Sequence, residues 1–210
     1  MTNNSKIIFD NLKTTYPSYK TFLNYEKDYE FLFAVILSAQ TTDIKVNIAT
    51  KKLFSDLPSL ADYNKQNYEI ILNDIKSLGL YKNKTMNLIN TANLLLTKYD
   101  SVVPNNREEL ISLPGVGKKT SGVVLNQLYK TNYFPVDTHI IRVSNRLGLV
   151  KEKNADIIEE KLEKYFSGLD LVYLHHAFIL LGRNICISSK PKCNICPLEK
   201  ICKKVKVKNV

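Results

Sequence analysis

The amino-acid sequence predicts an all-α protein of two helical lobes. Three observations carry this. Apolar residues recur at helical spacing in most of the chain, strand signals are nearly absent, and one short break falls at Lys130–Pro135. Tyr68, Ile71, Leu72, Ile75 and Leu78 follow the helical period, and Gly79 supplies a stop. Ile157, Ile158, Lys161, Leu162, Tyr165 and Phe166 trace one face of a second helix. Asn106 with Glu109 three residues later forms a capping box before Leu110 and Ile111. Phe31–Ala39 is apolar nearly all round, which predicts a buried central helix. Only Tyr133–Val136 reads as extended, and Pro135 makes it a poor strand. The chain shows no internal repeat and no low-complexity linker, so the break at Lys130–Pro135 is the natural hinge.

Composition sets the outer limits. The chain has 210 residues, enough for one large domain or two small lobes with their own cores. Apolar residues make up 44%, ordinary for a globular protein. No apolar run approaches the ~18 residues of a membrane span. The first residues lack the apolar stretch and small-residue cleavage site of a signal peptide. The protein therefore reads as intracellular: cytoplasmic, nucleoid-associated and without a membrane partner. Its formal net charge is +10, and Cys186–Val210 holds seven lysines and one glutamate, a net +6. A basic tail so concentrated suits a polyanion partner, though the same composition also serves solubility alone. The aromatic-rich amphipathic helix that a membrane surface would call for is missing.

All four cysteines fall between 186 and 202, and clustering of this kind in an intracellular chain favours a metal over disulfides. Cys186, Cys193, Cys196 and Cys202 form the pattern C-x6-C-x2-C-x5-C. The inner pair can reach one metal and the outer pair closes a loop around it. Four thiolates suit a [4Fe–4S] cluster or a tetrahedral zinc, and the spacing alone does not choose between them. The loop carries Lys190 and Lys192 between the first two ligands, where a metal would hold their ammonium groups ready for phosphates.

Leu113-Pro114-Gly115-Val116-Gly117-Lys118-Lys119-Thr120 lies between two helical segments. Its glycines permit a tight turn and the close approach of another backbone. A helix beginning near Gly117 would point unpaired N–H groups outward, a ready phosphate site. This is a helix–hairpin–helix element, and its pattern favours DNA binding over a plain helix–helix turn. Gly115, Val116, Gly117 and Lys118 are its expected DNA contacts. Lys119 falls in the first turn of the following helix, where the positive end of the macrodipole disfavours an ammonium. A lysine kept neutral is an amine nucleophile; the plainer role is a phosphate contact like that of Lys118. Eighteen residues on, Asp137 in Val136-Asp137-Thr138-His139 precedes a periodic segment. That makes it an N-cap, and also a carboxylate able to offset positive charge on a sugar. His139, His175 and His176 read as structural.

In this order and spacing, LPGVGKKT, VDTH and the cysteine tail resemble endonuclease III, the bifunctional branch of the helix–hairpin–helix glycosylases. Leu37-Ser38-Ala39-Gln40-Thr41-Thr42-Asp43 and Gly79-Leu80-Tyr81-Lys82-Asn83-Lys84 are similar to that family's DNA-wedge segments, so the likeness spans about residues 20 to 205. The resemblance implies a six-helix barrel over 21–131 and a second lobe of 1–20 with 132–210. That lobe would carry a [4Fe–4S] cluster, and DNA would lie across the cleft between the two. It makes Lys119 the Schiff-base nucleophile and Asp137 its catalytic carboxylate, with Gln40 filling the space of a flipped nucleotide and Leu80 wedging the other strand. It implies a monomer acting on damaged double-stranded DNA, removing oxidised pyrimidines and nicking the abasic site. Ser121 and Gly122 depart from the family's small-plus-asparagine pair, Lys82 replaces a small polar residue, and tryptophan is missing. Two rivals stand beside this reading. One is a mismatch adenine glycosylase, which generally lacks the hairpin lysine. The other is a non-enzymatic DNA-binding module with a zinc-stabilised basic tail.

Overall fold

The protein is described here from a computed structural model, covering residues 3–19 and 21–207. Lys208, Asn209 and Val210, the end of the basic tail, lie outside the described residues. Among those described there are ten α-helices and no strand. The chain divides into two compact units, Thr21–Lys130 and the pair Met1–Lys20 with Thr131–Val210.

The first unit holds six α-helices: α2 (Asp28–Leu37), α3 (Asp43–Asp56), α4 (Tyr68–Ile75), α5 (Tyr81–Lys98), α6 (Arg107–Ile111) and α7 (Lys118–Tyr129). Helix α2 is the axis of the unit and packs against α3, α5 and α7. Every residue from Glu30 to Leu37 is buried, as an all-apolar helix must be. Each of its large side chains contributes roughly 1.5–3 kcal/mol by leaving water. The buried Glu30 is satisfied by accepting the backbone N–H groups of Glu26 and Lys27 at 2.8 and 3.1 Å. The predicted Phe31–Ala39 helix stops two residues early, at Leu37, because the chain must turn into a left-handed conformation at Gln40, φ 56°. Likewise α4 ends at Ile75, ahead of Gly79. Leu78 stays buried through a tighter turn, its N–H reaching the Ile75 carbonyl at 2.9 Å. The Asn106 cap forms, its side chain accepting the Glu109 N–H at 2.9 Å.

The second unit contains α1 (Asn3–Thr15), α8 (Thr138–Leu147), α9 (Ala155–Tyr165) and α10 (Leu171–Asn184), followed by two short 3-10 turns at Cys193–Ile195 and Glu199–Ile201. Helix α10 packs against α8 and α1. The core centres on Phe134, Phe166 and Phe178, with ring centroids 5.6–6.0 Å apart. In α9 the buried stripe is Ile158, Leu162 and Phe166, spaced four residues apart, while Ile157 is 40% exposed. The predicted face was too wide by that residue, which sits ~100° of helix rotation away from Ile158. His175 is buried, and His176 stacks on Tyr19 at 4.4 Å. Tyr133–Val136 is extended but pairs into no sheet.

Candidate active site and metal centre

In the first unit the hairpin is seated by its own residues. Leu113 and Val116 are buried, and the Pro114 carbonyl accepts the Thr91 hydroxyl at 3.2 Å. Gly115 has φ +81°, and a Cβ there would lie 2.6 Å from Asn87 Nδ2 and 3.1 Å from Ile36 Cγ2. Its conformation favours glycine, and any side chain there would have to displace Asn87 and press on Ile36. Gly117 differs: a Cβ there would meet nothing within 4 Å. It is the N-cap of α7 and offers no side-chain cap to the first-turn N–H groups. The sequence therefore builds a helix start whose donors face outward from an exposed glycine. Lys119 stands in that first turn with its side chain exposed, and the neighbouring Lys118 is half-buried.

The two wedge segments of this unit share a backbone peculiarity. Gln40 and Leu80 both occupy the left-handed region, at φ 56° and 59°, and both are exposed. Lys84 lies one helical turn beyond Leu80 and is almost fully buried. Its ammonium donates to the Ala39 carbonyl at 2.8 Å and to the Thr41 hydroxyl at 3.4 Å. Burial holds its pKa below the usual lysine value. Sequence reasoning gave Lys84 no task. The signal was only its spacing of four from Leu80.

In the second unit, Asp137 is the N-cap of α8, accepting the Ile140 N–H at 2.9 Å. The extended segment before it is pinned at three places. The Phe134 N–H donates to Glu163 at 3.0 Å, Asn132 accepts the Leu171 N–H at 2.7 Å, and His175 Nδ1 donates to the Pro135 carbonyl at 2.7 Å. The last bond fixes the tautomer of His175, since a carbonyl can only accept. Asp137 is thus half-buried on a rigid support.

Cys186, Cys193, Cys196 and Cys202 line one small cavity of this unit, together with Val143, Leu181 and Val207. All four thiols are free of disulfides. Burial pushes the Cys196 thiol up to about 11 and raises that of Cys202. Arg146 of α8 supports the loop, donating to the carbonyls of Ile187 and Ser188, both at 2.7 Å, and to Cys186 Sγ at 3.4 Å. Arg142, one turn earlier, reaches the Cys186 and Gly182 carbonyls at 2.9 and 2.8 Å. Neither arginine was singled out from the sequence, where only an i,i+4 pair of cations on one helix face hinted at it. Among the described residues, no three His, Cys, Asp or Glu side chains form a group able to hold a single metal ion. The four thiols share the lining of that cavity. Lys190 and Lys192 are exposed on the same loop.

An uncapped helix start behind a two-glycine hairpin, on an all-helical frame that also gathers four cysteines, defines a helix–hairpin–helix protein. HhH-GPD superfamily base excision DNA repair proteins match residues 33–167, and the chain belongs to this family, within the endonuclease III group of DNA glycosylase/AP lyase enzymes. Endonuclease III of Buchnera aphidicola (from Acyrthosiphon pisum) is 47% identical over 186 residues, covering 89% of each chain. That of Escherichia coli K12 is 42% identical over 195 residues, covering 93% of this chain and 92% of its own. Among solved structures, a trapped endonuclease III–DNA covalent intermediate superposes with a TM-score of 0.89 at 36% identity, covering 97% of both chains. A thermostable thymine-DNA glycosylase gives 0.84 at 26% identity, covering 95% of both.

Proposed function

We propose that this repair glycosylase removes oxidised pyrimidines, such as thymine glycol, from duplex DNA and nicks the 3′ side of the resulting abasic site through a Schiff base on Lys119. One observation carries the reading: Lys119 is an exposed amine in the first turn of a helix whose uncapped N–H groups suit the DNA backbone. The relative whose DNA complex is described as a covalent intermediate points the same way. Gly115, Val116, Gly117 and Lys118 hold a phosphate, while Gln40 fills the gap left by the extruded nucleotide and Leu80 wedges the opposite strand. Extrusion costs least for a weakly stacked damaged base.

The Lys119 amine attacks C1′, and the C1′–N bond breaks with its electron pair leaving on the base, which takes up a proton. Opening of the sugar ring gives the C1′=N Schiff base. Loss of a C2′ proton then expels the 3′ phosphate, and water hydrolyses the imine to restore the lysine. Asp137 is the carboxylate of the reaction, offsetting positive charge at the sugar, and the proton that the Lys119 nitrogen sheds balances the one the base takes up. No step calls for a nucleotide cofactor.

The cysteine cavity fits a [4Fe–4S] cluster. The donor set is four soft thiols around a space with an apolar lining, and Arg146 brings positive charge to Cys186. Four soft thiols on one apolar-lined cavity are the donor set such a cluster takes. When bound, the cluster would cross-link the chain between 186 and 202. Cys186, Cys193, Cys196 and Cys202 hold it, and Lys190 and Lys192 are thereby presented to DNA phosphates.

Borohydride trapping on a duplex containing one thymine glycol tests the mechanism. Wild type gives a covalent protein–DNA complex and Lys119→Ala gives none. Absence of both complex and base release from metal-replete wild type overturns it.

A further inference from the structure

A charged side chain buried without a counter-charge is costly and calls for a reason. Lys84 is 3% exposed, and among the described residues no carboxylate pairs with its ammonium. The bonds it does make are selective. Its backbone N–H donates to the Leu80 carbonyl at 3.0 Å, the first hydrogen bond of α5. Its side chain donates to the Ala39 carbonyl at 2.8 Å and the Thr41 hydroxyl at 3.4 Å, the residues on either side of Gln40. One residue is therefore bonded to the Gln40 turn and to the Leu80 turn, each of which presents an exposed side chain from a left-handed backbone. The loops also approach each other directly, since a Cβ on Gly79 would lie 4.0 Å from the Gln40 carbonyl.

Left-handed conformations are strained for a residue with a Cβ and persist where the surroundings enforce them. An ammonium is well suited to enforcing two at once, because three donors on one nitrogen can satisfy a carbonyl and a hydroxyl of the same turn. A methionine of similar length would fill the volume and relieve the desolvation, yet leave the Ala39–Thr41 turn free to relax.

We propose that Lys84 is a positioning residue that locks the Gln40 turn to the start of α5, so that Gln40 and Leu80 enter the duplex as one rigid pair. The proposal rests on the reading of those two side chains as DNA inserts. Lys84 itself touches neither the base nor the sugar.

The test compares excision from a thymine glycol duplex with nicking of a single strand carrying a preformed abasic site, where no partner strand has to be held apart. The readout is the ratio of the two rates. Lys84→Met lowers the ratio at least tenfold, with its melting temperature equal to or above that of wild type. Lys84→Arg, which keeps the charge and the donors, restores most of it. A Lys84→Met ratio equal to that of wild type, or an arginine variant no better than methionine, overturns the proposal. A Gln40→Ala/Leu80→Ala double variant separates the two layers. If it loses the ratio while Lys84→Met keeps it, only the positioning role fails. If the double variant keeps the ratio, the inserts themselves are misread and the proposal falls with them. Lys84→Gln, whose polar tip falls short of Ala39, is read in the same way should the methionine variant not fold.

Discussion

Asp137 carries two tasks on one side chain. As the N-cap of α8 it satisfies the Ile140 N–H, a bond of the kind worth about 1 kcal/mol. As the proposed catalytic carboxylate it must also keep its negative charge for the sugar. Substitution separates the tasks, because asparagine caps a helix as well as aspartate but carries no charge. Asp137→Asn is expected to melt within a few degrees of wild type and to bind damaged DNA near normally, yet lose at least about a hundredfold in turnover. Single-turnover excision alongside thermal melting checks this. A folded variant with turnover near that of wild type would remove the Asp137 charge from the chemistry. At this scale the sequence spoke unevenly. Asp137 and Lys119 announced themselves through short motifs. Lys84 did not, because a lysine looks the same in sequence whether its ammonium is solvated or buried beneath a turn.

Among the elements, α8 shows how a helix gathers unlike parts of a unit. Its N-terminus bears Asp137, and one and two turns on, Arg142 and Arg146 grip the backbone of the first cysteine. The cysteine loop has little regular structure of its own, only two single-turn 3-10 pieces, so its shape depends on those arginines and on whatever the thiols bind. Freshly purified protein is expected to be brown, with broad visible absorption and about four irons per chain, four being the iron content of the cluster its cysteines suit. Removing the iron should lower the melting temperature and expose the thiols to alkylation. Colourless, fully active protein with one zinc per chain would contradict the cluster. Helix existence and type were readable from apolar period throughout, and the buried α2 was the clearest case. Helix ends were less so. The stops at Leu37 and Ile75 come from turns that depend on tertiary neighbours, and the over-wide face of α9 reflects where a neighbour ends.

For the molecule as a whole, charge is the quantity that sequence gives directly. The net +10, with seven lysines after Cys186, is a property no local contact erases. Binding to duplex DNA is expected to weaken steeply with salt, by about a hundredfold between 50 and 200 mM if four phosphates are neutralised. Replacing Lys190 and Lys192 together by alanine should reduce the slope of log affinity against log salt by about 2. Titrations at several salt concentrations read this directly, and an unchanged slope would remove both lysines from the phosphate contacts. Among the described residues no helix is long and apolar enough to cross a membrane. The family and the fold class were legible because three motifs stand in register along most of the chain.

The two glycines of the hairpin look interchangeable on paper, yet they answer to different judges. Gly115 is favoured by its own fold, through a positive φ and an Asn87 side chain 2.6 Å from the missing carbon. Gly117 has open space around it and a φ of −102° that any residue adopts. Selection for a folded chain alone would preserve the first and let the second drift. Selection for repair would keep both. Substitutions at the two positions, screened once for folding and once for repair, would tell those tolerances apart, and a Gly117 that fails only the second screen would mark where the DNA lies.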